Sequence, residues 1–120
     1  MDKQQALYKL WHDASNIPCY AEGSVPDDAK MPYVTYETAI DSLDGAITLT
    51  ATPWMRTESW APLDAIVNEI SDYIARGITV PFDNGVMLVN KGTPFAQRRV
   101  DEDTSVKGYL TSIQIEFLSK

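Results

Sequence analysis

Histidine and cysteine each occur once in these 120 residues, as His12 and Cys19. One cysteine excludes an internal disulfide, and the pair together is too little for a zinc knuckle or any Cys/His cluster within the chain. Basic residues are also scarce: ten Lys and Arg stand against 17 Asp and Glu, a net charge of −7. That balance excludes a general phosphate-backbone binder, which needs a clustered basic face. Long apolar runs are missing. The longest, Val86 to Val89, falls far short of the ~20 residues that cross a bilayer. The opening Met-Asp-Lys-Gln-Gln has neither the basic nor the apolar region of a signal peptide, and no Asn-x-Ser/Thr acceptor occurs. A free thiol in such a chain suits a reducing interior. A cytoplasmic protein, or one assembled in the cytoplasm, is expected.

What remains is an ordinary globular composition, 44% apolar and 22% charged, of a length that suits one domain over residues 1–120. Leu7, Leu10, Trp11 and Ala14 fall on one stripe of an amphipathic helix from Asp2 to Ser15, ended by Pro18. A short extended piece and a loop follow over 19–32. Strand signals then begin over Tyr33–Ile40, with Val34, Tyr36 and Ile40 on one face, and Asp41–Gly45 reads as a turn. Ala46–Thr52 alternates, with Ile47, Leu49 and Ala51 inward and three threonines outward, as in a half-exposed antiparallel strand.

A second helix is expected from Ser59 as N-cap to Arg76, with Leu63, Ile66, Val67, Ile70 and Ile74 on its stripe. Ile78–Phe82 and Val86–Val89 flank Asn84-Gly85, a strong hairpin signal. Pro81 places its strand at an edge or a bulge. Phe95–Val100 fits a strand or a helical turn, and Asp101–Ser105 a charged loop. A final strand from Tyr109 to Leu118 turns Tyr109, Ile113, Ile115 and Phe117 inward. The expected class is α+β: a mostly antiparallel sheet with two helices packed on one face.

Chemistry is hard to place. His12 has no nucleophile beside it in the sequence, and Cys19 has no basic neighbour to favour its thiolate. Asp101-Glu102-Asp103 lacks the spacing of a calcium loop, and Gly85 and Gly92 do not form a phosphate cradle. No catalytic, cofactor or metal residue is assigned. The aromatic and basic residues are more informative. Trp54, Arg56 and Trp60 bracket the approach to the second helix and are types enriched at protein interfaces, although tryptophans there also pack inward. Arg98-Arg99 is the only adjacent basic pair, close to the acidic Asp101, Glu102 and Asp103. These eight residues are the candidate interface, with the 22–30 loop as a further surface.

The order of segments is itself distinctive. An N-terminal helix leads to Ile17-Pro-Cys-Tyr20 and Val25-Pro-Asp-Asp-Ala-Lys-Met-Pro-Tyr-Val-Thr-Tyr36. A Thr-rich strand, Trp54-Met-Arg-Thr-Glu-Ser-Trp60, the helix containing Ile70-Ser-Asp-Tyr-Ile74 and an Asn-Gly hairpin follow. Over most of its length the chain resembles the tail-completion (tail terminator) proteins of long-tailed bacteriophages and prophages. The resemblance implies a non-enzymatic virion protein of the head-proximal tail end, assembled in the host cytoplasm. It implies a six-membered ring of identical subunits that caps the tail tube, stops its polymerisation and offers a docking surface to the head connector. The partners would be further copies of the chain, the major tail tube protein and a head-completion protein. DNA would only pass through the lumen, and no membrane or cofactor would take part. Such a ring is heterologous, each subunit offering two different surfaces, and the Arg98-Arg99 and 101–105 charges are suited to pair between neighbours. Another phage neck protein, such as the head-closure adaptor, shares size and acidity. From a different class, an acidic DNA-mimic inhibitor would need its carboxylates along one face at phosphate-like spacing, whereas here they are scattered.

Overall fold

In a computed structural model, which describes residues 1–38 and 46–119, helix α1 spans Lys3–Ser15. Asp2 caps it, accepting from the Gln5 backbone N–H while the Gln5 side chain accepts from the Asp2 N–H. This reciprocal pair satisfies two of the donors that a helix start leaves free. Asn16 ends the helix in the left-handed region at φ 59°, and the chain then enters strand β1 (Cys19–Ala21). β2 covers Tyr33–Tyr36, with Val34 and Tyr36 buried as the alternation predicts. Ile40 and the turn 41–45 lie outside the described residues.

β3 runs Ile47–Arg56, longer than the sequence suggests, because Pro53 does not end it. Pro53 pairs with Val34 of β2, while the pairing with the last strand skips residues 52 and 53. The missing proline N–H therefore interrupts one ladder only. Leu49 and Ala51 face the core, but Thr52 is buried too, packed with the Trp54 ring against the bare backbone of Gly108.

α2 spans Ala61–Ile74 and buries Leu63, Val67, Ile70 and Ile74, with Ile66 packed at the margin of the core. Its N-cap is Trp60 rather than Ser59, and no side chain caps it. The Ser59 N–H is held instead by the Thr57 hydroxyl, 3.2 Å away, and Pro62 in the first turn needs no partner for an N–H it lacks. The helix stops at Ile74, short of Arg76: Ala75 turns to φ 49°, and Gly77, at φ 125°, donates to the Ile74 carbonyl at 2.8 Å.

β4 (Ile78–Phe82), β5 (Gly85–Val100) and β6 (Val106–Ser119) complete the sheet, in the order β1-β2-β3-β6-β5-β4. Phe95–Val100 belongs to one long strand that absorbs a bulge between Lys91 and Ala96, which hides its continuity from a reading by periodicity. β1 and β2 are parallel and every other neighbouring pair is antiparallel. β4, with Pro81, is an edge strand as expected. The β4–β5 hairpin forms, but Phe82 pairs with Gly85, so the connecting residues are Asp83 and Asn84. Gly85 is required for a different reason than the turn: a Cβ there would be driven into the carbonyl of Leu118 on β6. Leu7, Leu10 and Trp11 of α1 and Ile70 and Ile74 of α2 bury one core with Met87, Val89, Ile113 and Ile115 of the sheet. The α+β class is as expected, a largely antiparallel sheet covered by two helices.

Candidate functional site

The part of the β5–β6 hairpin beyond the bulge carries a connected set of polar contacts, and both of its faces are occupied. On the α2 face, Arg98 and Tyr109 are cross-strand partners. Arg98 Nε donates to the Tyr109 hydroxyl at 2.8 Å, and that hydroxyl donates to Asp64 in the first turn of α2. A guanidinium nitrogen of Arg98 lies 3.6 Å from the other Asp64 oxygen. The Trp60 ring completes the group, edge-on to Tyr109 at 5.3 Å and with the Arg98 guanidinium 4.6 Å from its centroid. The hydrogen bond to Tyr109, more than the nearby Asp64 charge, raises the guanidinium's affinity for its proton. Lys107 joins from β6, its ammonium 5.9 Å from the Trp60 centroid and donating to the Thr57 carbonyl. Trp60 is therefore held by two cations, one tyrosine and a helix start, each a type of contact that orients an aromatic ring.

On the other face Trp54 lies over Gly108, where a Cβ would come within 2.7 Å of its ring, and its Nε1 donates to the Thr35 hydroxyl at 3.0 Å. Beside it a shallow groove of about 240 Å³ is lined by Met31, Tyr33, Trp54, Arg56, Asp101 and Asp103, with Val106 at its base. Arg56 donates to Asp103 at 2.8 Å and to the Ser105 hydroxyl at 2.7 Å. Asp103 accepts in addition from the Ser105 hydroxyl and N–H. Those bonds, the Ser105 hydroxyl first and Arg56 next, hold its carboxyl down to about 2.

The ordinary carboxyl value of 3.8 lies above the folded one, so the stabilisation from Asp103 is complete above about pH 4. It is lost as the pH falls towards 2. Carboxyl NMR should follow Asp103 titrating well below the ordinary carboxyl value. In Arg56→Ala the midpoint should rise only part of the way, because Ser105 remains. A rise to the full unperturbed value would show that Arg56 alone sets it.

The residues singled out from the sequence are thus divided. Trp54, Arg56, Asp101 and Asp103 share the groove; Trp60 and Arg98 share the opposite face. Arg99 and Glu102 are exposed, and among the described residues neither makes an ion pair. Arg98 and Asp103, both named from sequence, find partners inside the chain, Asp64 and Arg56 respectively. Asp64, Tyr109 and Lys107 were not among the candidates. No local pattern marks them, since Asp64 and Tyr109 lie 45 residues apart.

His12 is exposed in the last turn of α1, stacked on Tyr8 at 5.6 Å. Cys19 is buried, and burial pushes its thiol up to about 11, the wrong direction for a nucleophile. Among the described residues no group of three His, Cys, Asp or Glu is arranged to hold a metal, and no helix is long and apolar enough to cross a membrane. The arrangement holds Trp54 and Trp60 in fixed orientations and pairs Arg98 and Asp103 within the chain.

No protein-family model matches the sequence, and no curated protein does. Among solved structures, the chain is similar to a component of the "Virion of native gene transfer agent (GTA) particle". The two share 13% sequence identity at a TM-score of 0.69, with 96% of this chain and 93% of that one covered. At that identity the likeness establishes a common fold, and it spans nearly the whole of both chains.

Proposed function

We propose that the protein is a structural component of a phage-like particle, and specifically a tail terminator. Six copies close into a ring on the head-proximal end of the tail tube, stop its growth and present a surface to the head connector. The observation that carries this reading is the fold shared with a gene transfer agent virion component over almost the full length of both chains. The sequence resemblance to tail-completion proteins adds the particular role. The site chemistry is in keeping with it: Trp54 and Trp60 are half-buried, oriented by hydrogen bonds or cations, and placed on opposite faces of one arm. A subunit with two distinct recognition faces is what a heterologous ring requires, and the eight candidate interface residues lie on or beside this arm. A role without catalysis follows from the same reading.

Native mass spectrometry of the concentrated protein, alone and with purified tube protein, is expected to give a sixfold mass. Monomer throughout the concentration range under both conditions would overturn the assignment.

A further inference from the structure

The sheet ends in a step. β4 pairs with β5 only from Gly85 to Val89, whereas β5 continues to Val100, and among the described residues no strand covers its outer side beyond that point. The direction of the exposed backbone groups follows from two hydrogen bonds. The Asp101 N–H donates to the Val106 carbonyl, and the Thr57 N–H donates to the Ser105 carbonyl. In an antiparallel ladder the bonded pairs alternate, so Gln97 and Arg99 face β6, and Ala96, Arg98 and Val100 turn their N–H and C=O groups outward. Val100 is 58% exposed. Pro94 and the bulge blunt only the nearer part of this margin. The last five residues keep a regular ladder and contain no proline, so they retain what an added strand needs.

Pairing of this margin with itself across a twofold axis would set Arg98 near its own copy, and like charges facing each other destabilise a strand pair. The opposite side of the sheet offers a better complement. Beyond β1 the chain continues through an exposed segment carrying Glu22, Asp27 and Asp28. Its backbone is only partly committed: it turns at Glu22–Gly23 and Asp27–Asp28, the Glu22 and Ser24 N–H groups bond to the Tyr36 and Ala21 carbonyls, and Pro26 carries no N–H. Among the described residues, the N–H groups of Gly23, Val25, Asp27 and Asp28 make no backbone hydrogen bond.

We propose that the outer margin of β5 at Ala96–Val100 receives the acidic 22–28 segment of a neighbouring copy, opened from its two turns, as an added strand, the exposed Arg99 meeting its carboxylates. This rests on the ring reading above and names the contact that would build the ring: one side of each subunit's sheet against the other side of the next.

Val100→Pro tests it, because that residue's N–H points outward and its loss leaves the bonds to β6 intact. By sedimentation velocity the variant is expected to assemble at least tenfold more weakly than the parent chain. Arg99→Glu and Asp28→Lys should each weaken assembly, and the two together should restore it. Hydrogen exchange on the unaltered protein gives a reading that does not depend on any variant folding. The amides of Ala96, Arg98 and Val100 should slow on assembly, while those of Gln97 and Arg99 are slow throughout. If the parent assembles and these three amides exchange as fast as before, the proposed contact is wrong and the ring reading stands. If the parent never assembles, with or without tube protein, both fall.

Discussion

Trp11→Ala is expected to lower the stability by about 4 kcal/mol, a large share of the ~5–15 kcal/mol that holds a domain together. The thermal midpoint should drop by roughly 15 °C. Trp11 is completely buried at the centre of α1's apolar stripe, among residues of both helices and the sheet. Its removal leaves a cavity that three packed elements cannot close together. Among the described residues the indole N–H has no hydrogen-bond partner, which separates two components of the cost. Trp11→Phe removes volume and sacrifices no bond, so it should cost only about 1–2 kcal/mol. Equal losses for the two variants in urea titrations would show that the indole nitrogen matters more than the packing.

Gly85→Ala should be nearly as damaging, about 3 kcal/mol, by a different route. A Cβ at Gly85 would collide with the Leu118 carbonyl oxygen, and it would stand 2.9 Å from the carbonyl carbon and 3.0 Å from the Ser119 Cα. All are backbone atoms, so no side chain can swing aside and the two strands must part. Gly23→Ala is the contrasting case. At φ 81° the position strains a side chain, but a Cβ there meets nothing within 4 Å among the described residues, and about 1 kcal/mol is the expected loss. Urea midpoints should therefore rank Gly85→Ala well below Gly23→Ala. The reverse order would mean that β5 and β6 approach less closely at this end than the register implies.

The contrast between these glycines shows where sequence reasoning succeeds. The stripe through Leu7, Leu10, Trp11 and Ala14 and the alternation around Leu49 and Ala51 are local periodicities, written over a few residues by the geometry of helix and strand. The Asn-Gly signal also located its hairpin. It did so although the turn falls one residue earlier and Gly85 serves strand approach instead. What depends on distant partners was hidden. Pro53 reads as a strand end unless its pairing with Val34 is known, and Phe95–Val100 reads ambiguously because the bulge breaks its register. Ser59 has the composition of a cap, but the loop bonds through Thr57 instead. At the candidate site, composition pointed to Trp60 and Arg98, while the two groups that fix them, Asp64 and Tyr109, join only through the tertiary fold.

The placement of β6 between β3 and β5 also has a consequence for how the protein is made. β6 is the last described strand in the chain and a middle strand of the sheet, and among the described strands it alone pairs with both β3 and β5. During synthesis the first three strands and the later hairpin have no common ladder until Val106–Ser119 has left the ribosome. Its pairs with β3 bridge residues about 50 to 68 apart, from Arg56–Val106 to Ile47–Ile115, and such separations slow folding. The sheet of the nascent chain is therefore in two unjoined parts until β6 emerges, the margin of β5 included. The described sheet is completed only once translation has delivered β6, and until then its parts carry unpaired strand margins.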